Sequence, residues 1–130
     1  GHGAITLAIK HLDTFGAAGS MAGGLDLRPF KKNVWDLKGV LGSPLTDWHH
    51  WKEASAVNMV QQLKGHEIPL IIDCGLDDFF LETNRKMHCR LLEAKIPHEY
   101  IERPGEHNSD YWGSAVDYQV LFFHKFFKGE

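Results

Sequence analysis

The residues with chemistry to offer sit in two short polar loops, each following a stretch that reads as a strand. The first is Gly75-Leu76-Asp77-Asp78, directly after the apolar run 69–74. The second is Gly105-Glu106-His107-Asn108, directly after residues 97–103. A carboxylate followed later by an imidazole is a pair suited to general-base work. The carboxylate holds one ring nitrogen in its N–H form and stabilises the imidazolium, while the other nitrogen takes a proton from a nucleophile. Asp77 and Asp78 are neighbours, and spacing leaves both open as the acid.

Other reactive side chains are less well placed. Ser20 lies in Ala18-Gly19-Ser20-Met21-Ala22. A sharp strand-to-helix turn presenting a nucleophilic serine needs glycine on both sides of it, two positions away. Both of those positions are alanine, so the segment reads as strand interior. Cys74 falls inside an apolar run and reads as an inert core thiol; Cys89 falls on a helix without an activating partner. The two cysteines form no CxxC pair and no disulfide framework. His49-His50 with Asp47, and the group Asp73, Asp77 and Asp78, lack the ligand spacing of zinc or calcium sites, so no metal is expected. Trp48, Trp51 and Trp112 are the aromatic candidates for contact with a substrate. The run Trp48-His49-His50-Trp51 reads either as a stacking platform for a sugar or aryl group or as packing in a cap segment.

The elements that must position these residues alternate between strand and helix. Ala4, Ile5, Ala8 and Leu12 share one face of a helix over residues 3–12. Residues 15–22 are small and apolar and read as a buried strand, followed by a Gly- and Pro-containing loop over 23–32. Short helices are expected over 35–41 and 45–52. Val57, Val60 and Leu63, at spacings of three, predict a surface helix over 54–63, ended by Gly65. The run 69–75 is the strongest strand and suits burial on both faces. Residues 83–95 form an amphipathic helix with Met87, Leu91 and Ala94 inward, and 97–103 a more polar outer strand. The last helix, 110–127, places Trp112, Val116, Val120, Phe123 and Phe127 along one side and Leu121, Phe122 and Phe126 elsewhere, so burial on more than one face is expected. Such alternation predicts an α/β fold with a parallel sheet. Ligands bind beyond the carboxyl ends of such strands, where both polar loops fall. Three strands leave two open edges, so the pattern reads as part of a doubly wound, mostly parallel sheet.

A chain of 130 residues is one domain at most. Its 14 Lys+Arg against 17 Asp+Glu give a net charge of −3, which argues against nucleic acid as a partner because no basic stripe can displace phosphate counterions. No run approaches the ~18 apolar residues of a membrane span. The chain opens on Gly1-His2-Gly3-Ala4, already in helical pattern and without Met or leader. It is expected to be a piece of something longer.

Several separated motifs, in order, resemble the esterase branch of the α/β-hydrolases that includes feruloyl and acetyl-xylan esterases, S-formylglutathione hydrolase (esterase D), tributyrin esterases and mycolyltransferases. Gly1-His2-Gly3-Ala4 is similar to the tail of that branch's nucleophile elbow, Gly-x-Ser-Met-Gly-Gly-His-Gly-Ala. Residues 15–21, 72–79, Asn84-Arg85, 96–100, 103–112 and 118–123 match further along. The resemblance covers almost the whole chain. It implies the C-terminal part of an α/β-hydrolase sheet, with Asp78 as catalytic acid (Asp77 its rival) and His107 as catalytic base. It also implies that the nucleophilic Ser, and the oxyanion donor after it, lie upstream of Gly1. The 130-residue chain by itself would then be inactive, because triad members act as a unit. The implied substrate is a small-molecule or carbohydrate-linked ester, and the implied partner is the N-terminal half of the domain or a second chain. Glu106 departs from the branch, which has Gly before the His. A non-catalytic binding module on the same fold is the alternative of a different class.

Overall fold

The computed structural model describes residues 1–32 and 34–130. Strand β2 (Leu70–Gly75) is buried along its whole length and forms the centre of a three-stranded sheet. Strand β1 (Ala18–Met21) runs parallel to it on one side, with Ala18 opposite Leu70 and Met21 opposite Asp73. Strand β3 (Glu99–Arg103) runs parallel on the other, from Ile71 opposite Glu99 to Gly75 opposite Arg103. Side chains alternate across a strand, so Leu70 and Ile72 enter one layer while Ile71 and Asp73 enter the other. The first layer is the main core, where Ile5 and Ile9 of helix α1 (His2–Lys10) meet Met87 and Leu91 of helix α4 (Leu81–Glu93). Helix α5 (Ser109–Lys128) covers the opposite face, packing on β1 and β2. Two short helices, α2 (Leu37–Leu41) and α3 (Trp48–Glu53), stand between β1 and β2 in the chain.

The three expected strands and their parallel arrangement are present, as is the amphipathic helix with Met87, Leu91 and Ala94 inward. Three local expectations are corrected. The surface helix over 54–63 is instead two 3₁₀ turns, Ala56–Asn58 and Val60–Leu63, and they are not at the surface: Ala56, Val57, Met59, Val60 and Leu63 are core residues. A spacing of three is the repeat of a 3₁₀ turn, in which side chains at i and i+3 eclipse, so Val57, Val60 and Leu63 make one narrow buried ridge. The first helix buries Ile5, Thr6, Ala8 and Ile9, while Ala4 is exposed. The last helix seats Tyr111, Ala115 and Gln119, not the side running from Trp112 to Phe127. Its register is set by polar anchors: Tyr111 bonds Asp73 of β2, and Gln119 Nε2 donates to the Ser20 carbonyl of β1 at 3.4 Å. Val116, Val120, Leu121 and Phe127 are left exposed. No helix among those residues is long and apolar enough to cross a membrane.

The loop after β1 is held down by charge. Asp26 is buried and takes a two-point contact from Arg28 (2.9 Å each) and one from Lys86 of α4 at 3.1 Å. Burial pushes this carboxyl up, but the bonds from Arg28 and Lys86 outweigh it and hold it at about 2. A carboxyl depressed in the folded state stabilises the fold above its unfolded value and loses that contribution as pH falls through the folded one. Asp26→Asn should therefore cost about 2 kcal/mol at neutral pH, with the gap from the parent closing between about pH 4 and pH 2. Urea unfolding measured across that range checks it; a gap independent of pH would contradict the ion cluster.

Candidate active site

Beyond the ends of β2 and β3 the two polar loops are joined to each other. Leu76 N donates to Arg103 O and Asp77 N to Gly105 O, both at 2.9 Å. This contact needs glycine at Gly75, because a Cβ there would stand 2.4 Å from the Gly105 carbonyl oxygen. Gly105 itself has φ of +137°, a conformation disfavoured for side-chain-bearing residues. The acid loop then turns: Asp78 N donates to Gly75 O at 3.2 Å and Leu81 N to Asp78 O at 3.1 Å, leading into α4. On the other loop Asn108 caps α5, its Oδ1 accepting from Tyr111 N at 3.0 Å, which fixes the residue before it.

That residue is His107. Its Nδ1 donates to Asp78 Oδ2 at 2.8 Å, and Asp78 Oδ1 accepts from Phe80 N at 2.7 Å. Both carboxylate oxygens are engaged, and the Asp78 side chain is fully buried. An ionised carboxylate only accepts, so the ring proton sits on Nδ1 and the lone pair of the neutral ring on Nε2. Of the two neighbouring aspartates, the structure brings Asp78 to the imidazole; the Asp77 residue is exposed. Glu106 is exposed as well.

Aromatic rings box the imidazole. Phe79 lies 4.6 Å from it, Phe80 5.4 Å, and Trp112 4.9 Å in an edge-to-face arrangement. His107, Phe79, Phe80 and Trp112 share a cavity of about 540 Å³ with Trp35 and with Gly1 at the start of α1. The position of Gly1 is set by contact, since a Cβ on it would fall 2.6 Å from the Gly23 Cα. Trp112 thus sits at the cavity, whereas Trp48 and Trp51 sit elsewhere. Trp51 is fully buried with its indole N–H donated to Gly42 O at 3.1 Å, and Trp48 stacks on it.

The remaining reactive groups have other occupations. Ser20 is fully buried in β1, its Oγ accepting from Gly23 N at 3.1 Å. Burial and nearby carboxylates push the Cys74 thiol up to about 12, which keeps it protonated. Asp47 accepts from Ser43 N and Thr46 Oγ1, and His50 Nδ1 bonds Leu41 O. Among the described residues no three His, Cys, Asp or Glu side chains gather as a metal-ligating group.

Sequence reasoning missed a buried cluster under the loops. Asp73, with no exposure, accepts from Arg103 Nη2 at 3.1 Å and from the Tyr111 hydroxyl. Arg103 also donates to Ser114 Oγ at 2.7 Å and lies over the Tyr111 and Tyr118 rings. Burial and the Asp73 bond push the Tyr111 phenol above its ordinary range, keeping it a donor. A charged residue in the middle of the run Leu70–Gly75 was the available signal, because a carboxylate is almost never buried in a strand without a partner.

Comparison with known proteins gives a consistent result. The family model described as "Putative esterase" matches residues 1–123. A solved ferulic acid esterase superposes with a TM-score of 0.70 at 26% identity, over 94% of this chain and 46% of its own. The S-formylglutathione hydrolase FrmB of Staphylococcus aureus does so at 0.77 and 20% identity, over 93% of this chain and 49% of its own. MPT51 (FbpC1) of Mycobacterium tuberculosis gives 0.70 and 19% identity, over 88% and 52%. At these identities the last two speak to the α/β-hydrolase fold alone. The chain spans about half the length of these structures. No curated protein matches it.

Proposed function

The chain belongs to the esterase family matched over residues 1–123, and from that premise we propose that it carries the acid–base half of a serine carboxylic-ester hydrolase. Asp78 is the acid, His107 the base, and the nucleophilic Ser stands on a segment preceding Gly1. The single observation that carries this reading is the cavity in which His107 and Gly1 meet, with Nδ1 of His107 committed to Asp78 and Nε2 left over.

The chemistry follows from that geometry. His107 Nε2 takes the serine proton as Oγ bonds to the ester carbonyl carbon, and the buried Asp78 carboxylate stabilises the imidazolium that results. Backbone N–H groups beside the serine hold the oxyanion. As the tetrahedral species collapses, the imidazolium returns its proton to the departing alkoxide oxygen, leaving an acyl-enzyme. Water then adds to the acyl carbon while giving its proton to Nε2, and the serine leaves with that proton. No step needs a metal or organic cofactor. The apolar lining of the cavity by Trp35, Phe79 and Trp112 suits an ester with an apolar or aryl group.

Because nucleophile and oxyanion donor act together with the pair, residues 1–130 by themselves should not hydrolyse p-nitrophenyl acetate, whereas the full reading frame encoding them should. Equal activity of the two would sink the assignment of the nucleophile outside this chain. Ser20→Ala, made alongside, should leave the full protein active, because the hydroxyl is buried and accepts from Gly23 N.

A further inference from the structure

Asn84 lies in the first turn of α4 and is fully buried. Both hydrogens of its amide are used: Nδ2 donates to Gly23 O at 2.9 Å and to Phe80 O at 3.0 Å. Both partners are carbonyls, so the orientation of the amide is fixed. The Phe80 carbonyl also receives Thr83 Oγ1 at 2.9 Å and Asn84 N at 3.0 Å, while Phe80 N holds Asp78 Oδ1. Gly23, at the other end, donates its N–H to Ser20 Oγ, and a Cβ on it would stand 2.7 Å from the Gly1 Cα. One side chain therefore spans from the turn that carries the acid to the residue against which α1 begins.

A further feature separates this asparagine from packing. Its Oδ1 is buried and has no partner among the described residues. An unmade buried acceptor is a standing cost that an apolar residue of similar volume would avoid.

We infer that Asn84 is a positioning residue: it sets the separation between the Asp78–His107 pair and the start of α1. This rests on the esterase reading above, in which the nucleophile stands on the segment leading into Gly1. Proton transfer from that hydroxyl to Nε2 needs hydrogen-bond reach, and a shift of about 1 Å costs up to about a hundredfold in rate. The substrate cavity wall is touched only indirectly.

The test uses the full reading frame with p-nitrophenyl acetate. Asn84→Ala should lower kcat by about ten- to a hundredfold while KM stays within about twofold. Leu91→Ala, which empties core volume under the same helix, should leave kcat near the parent value despite lower stability. Unchanged kcat in Asn84→Ala, or an equal fall in the two variants, would overturn the assignment. Asn84→Asp, of the same shape but without the two donations, serves where the alanine variant does not fold, and the same fall in kcat is expected. Failure of both to fold would make Asn84 a residue of stability alone and likewise overturn the inference. His107→Ala separates this from the parent reading: full activity there fells the esterase mechanism, whereas its loss beside an unaffected Asn84→Ala fells only the positioning role.

Discussion

His107→Ala, in the full protein, is expected to lower kcat/KM for p-nitrophenyl acetate by at least about a thousandfold, with the fold retained. The ring is partly exposed and bonds Asp78; removing it opens space between Phe79, Phe80 and Trp112 and frees Asp78 Oδ2, a stability cost to be read separately from the kinetic one. What disappears, under the proposed mechanism, is the Nε2 lone pair that receives the nucleophile's proton. Asp78→Asn should cost roughly ten-thousandfold by a different route. The Phe80 N–H still needs an acceptor at Oδ1, which turns the new amide nitrogen toward Nδ1. Two donors cannot face each other, so the ring shifts its proton to Nε2 and loses the lone pair it needs. The double variant should be no slower than the slower single one, because the two residues act as a unit. Steady-state kinetics with circular dichroism on each variant checks these values. A tenfold loss or less in His107→Ala would contradict the role of the imidazole.

Asp73→Ala is expected to be the most destabilising single change outside the apolar core, by about 3 kcal/mol. It strands the Arg103 guanidinium, which keeps about a fifth of its surface exposed, without the carboxylate that neutralises it. It also leaves the Tyr111 hydroxyl without its acceptor. Removing one partner of a buried pair is costly because the other charge stays buried. Asp73→Asn, which keeps hydrogen-bonding capacity but loses the charge, should cost less than the alanine variant. Denaturant midpoints for the two rank them, and a loss below about 1 kcal/mol in Asp73→Ala would mean that Arg103 reaches solvent after all. The cluster lies where β3 passes into the His107 loop, so its loss should also loosen the Leu76–Arg103 and Asp77–Gly105 backbone bonds that join the two loops.

Much of the sheet was legible because its strands are built from unambiguous runs. Leu70–Gly75 is apolar without interruption apart from Asp73, and only a strand covered on both faces tolerates that pattern. The meeting of an Asp from the loop after β2 with His107 was legible too, since parallel strands deliver consecutive C-terminal loops to one edge. Choosing Asp78 over Asp77 was not, because the choice depends on the turn closed by Asp78 N to Gly75 O, which the sequence does not write down. The 54–63 segment was misread for a related reason: a spacing of three fits one face of an α-helix and also a 3₁₀ ridge, and the buried position decides between them. Helix α5 was misread because hydrophobicity suggested its inward side, while polar bonds from Tyr111 and Gln119 set its rotation.

The central claim is tested most directly by finding where a fluorophosphonate probe attaches in the full protein, using peptide mass spectrometry. A single adduct on a serine preceding Gly1, absent from His107→Ala, is the predicted result. An adduct on Ser20 or on any other side chain within residues 1–130, or one that forms equally well without the imidazole, would contradict it.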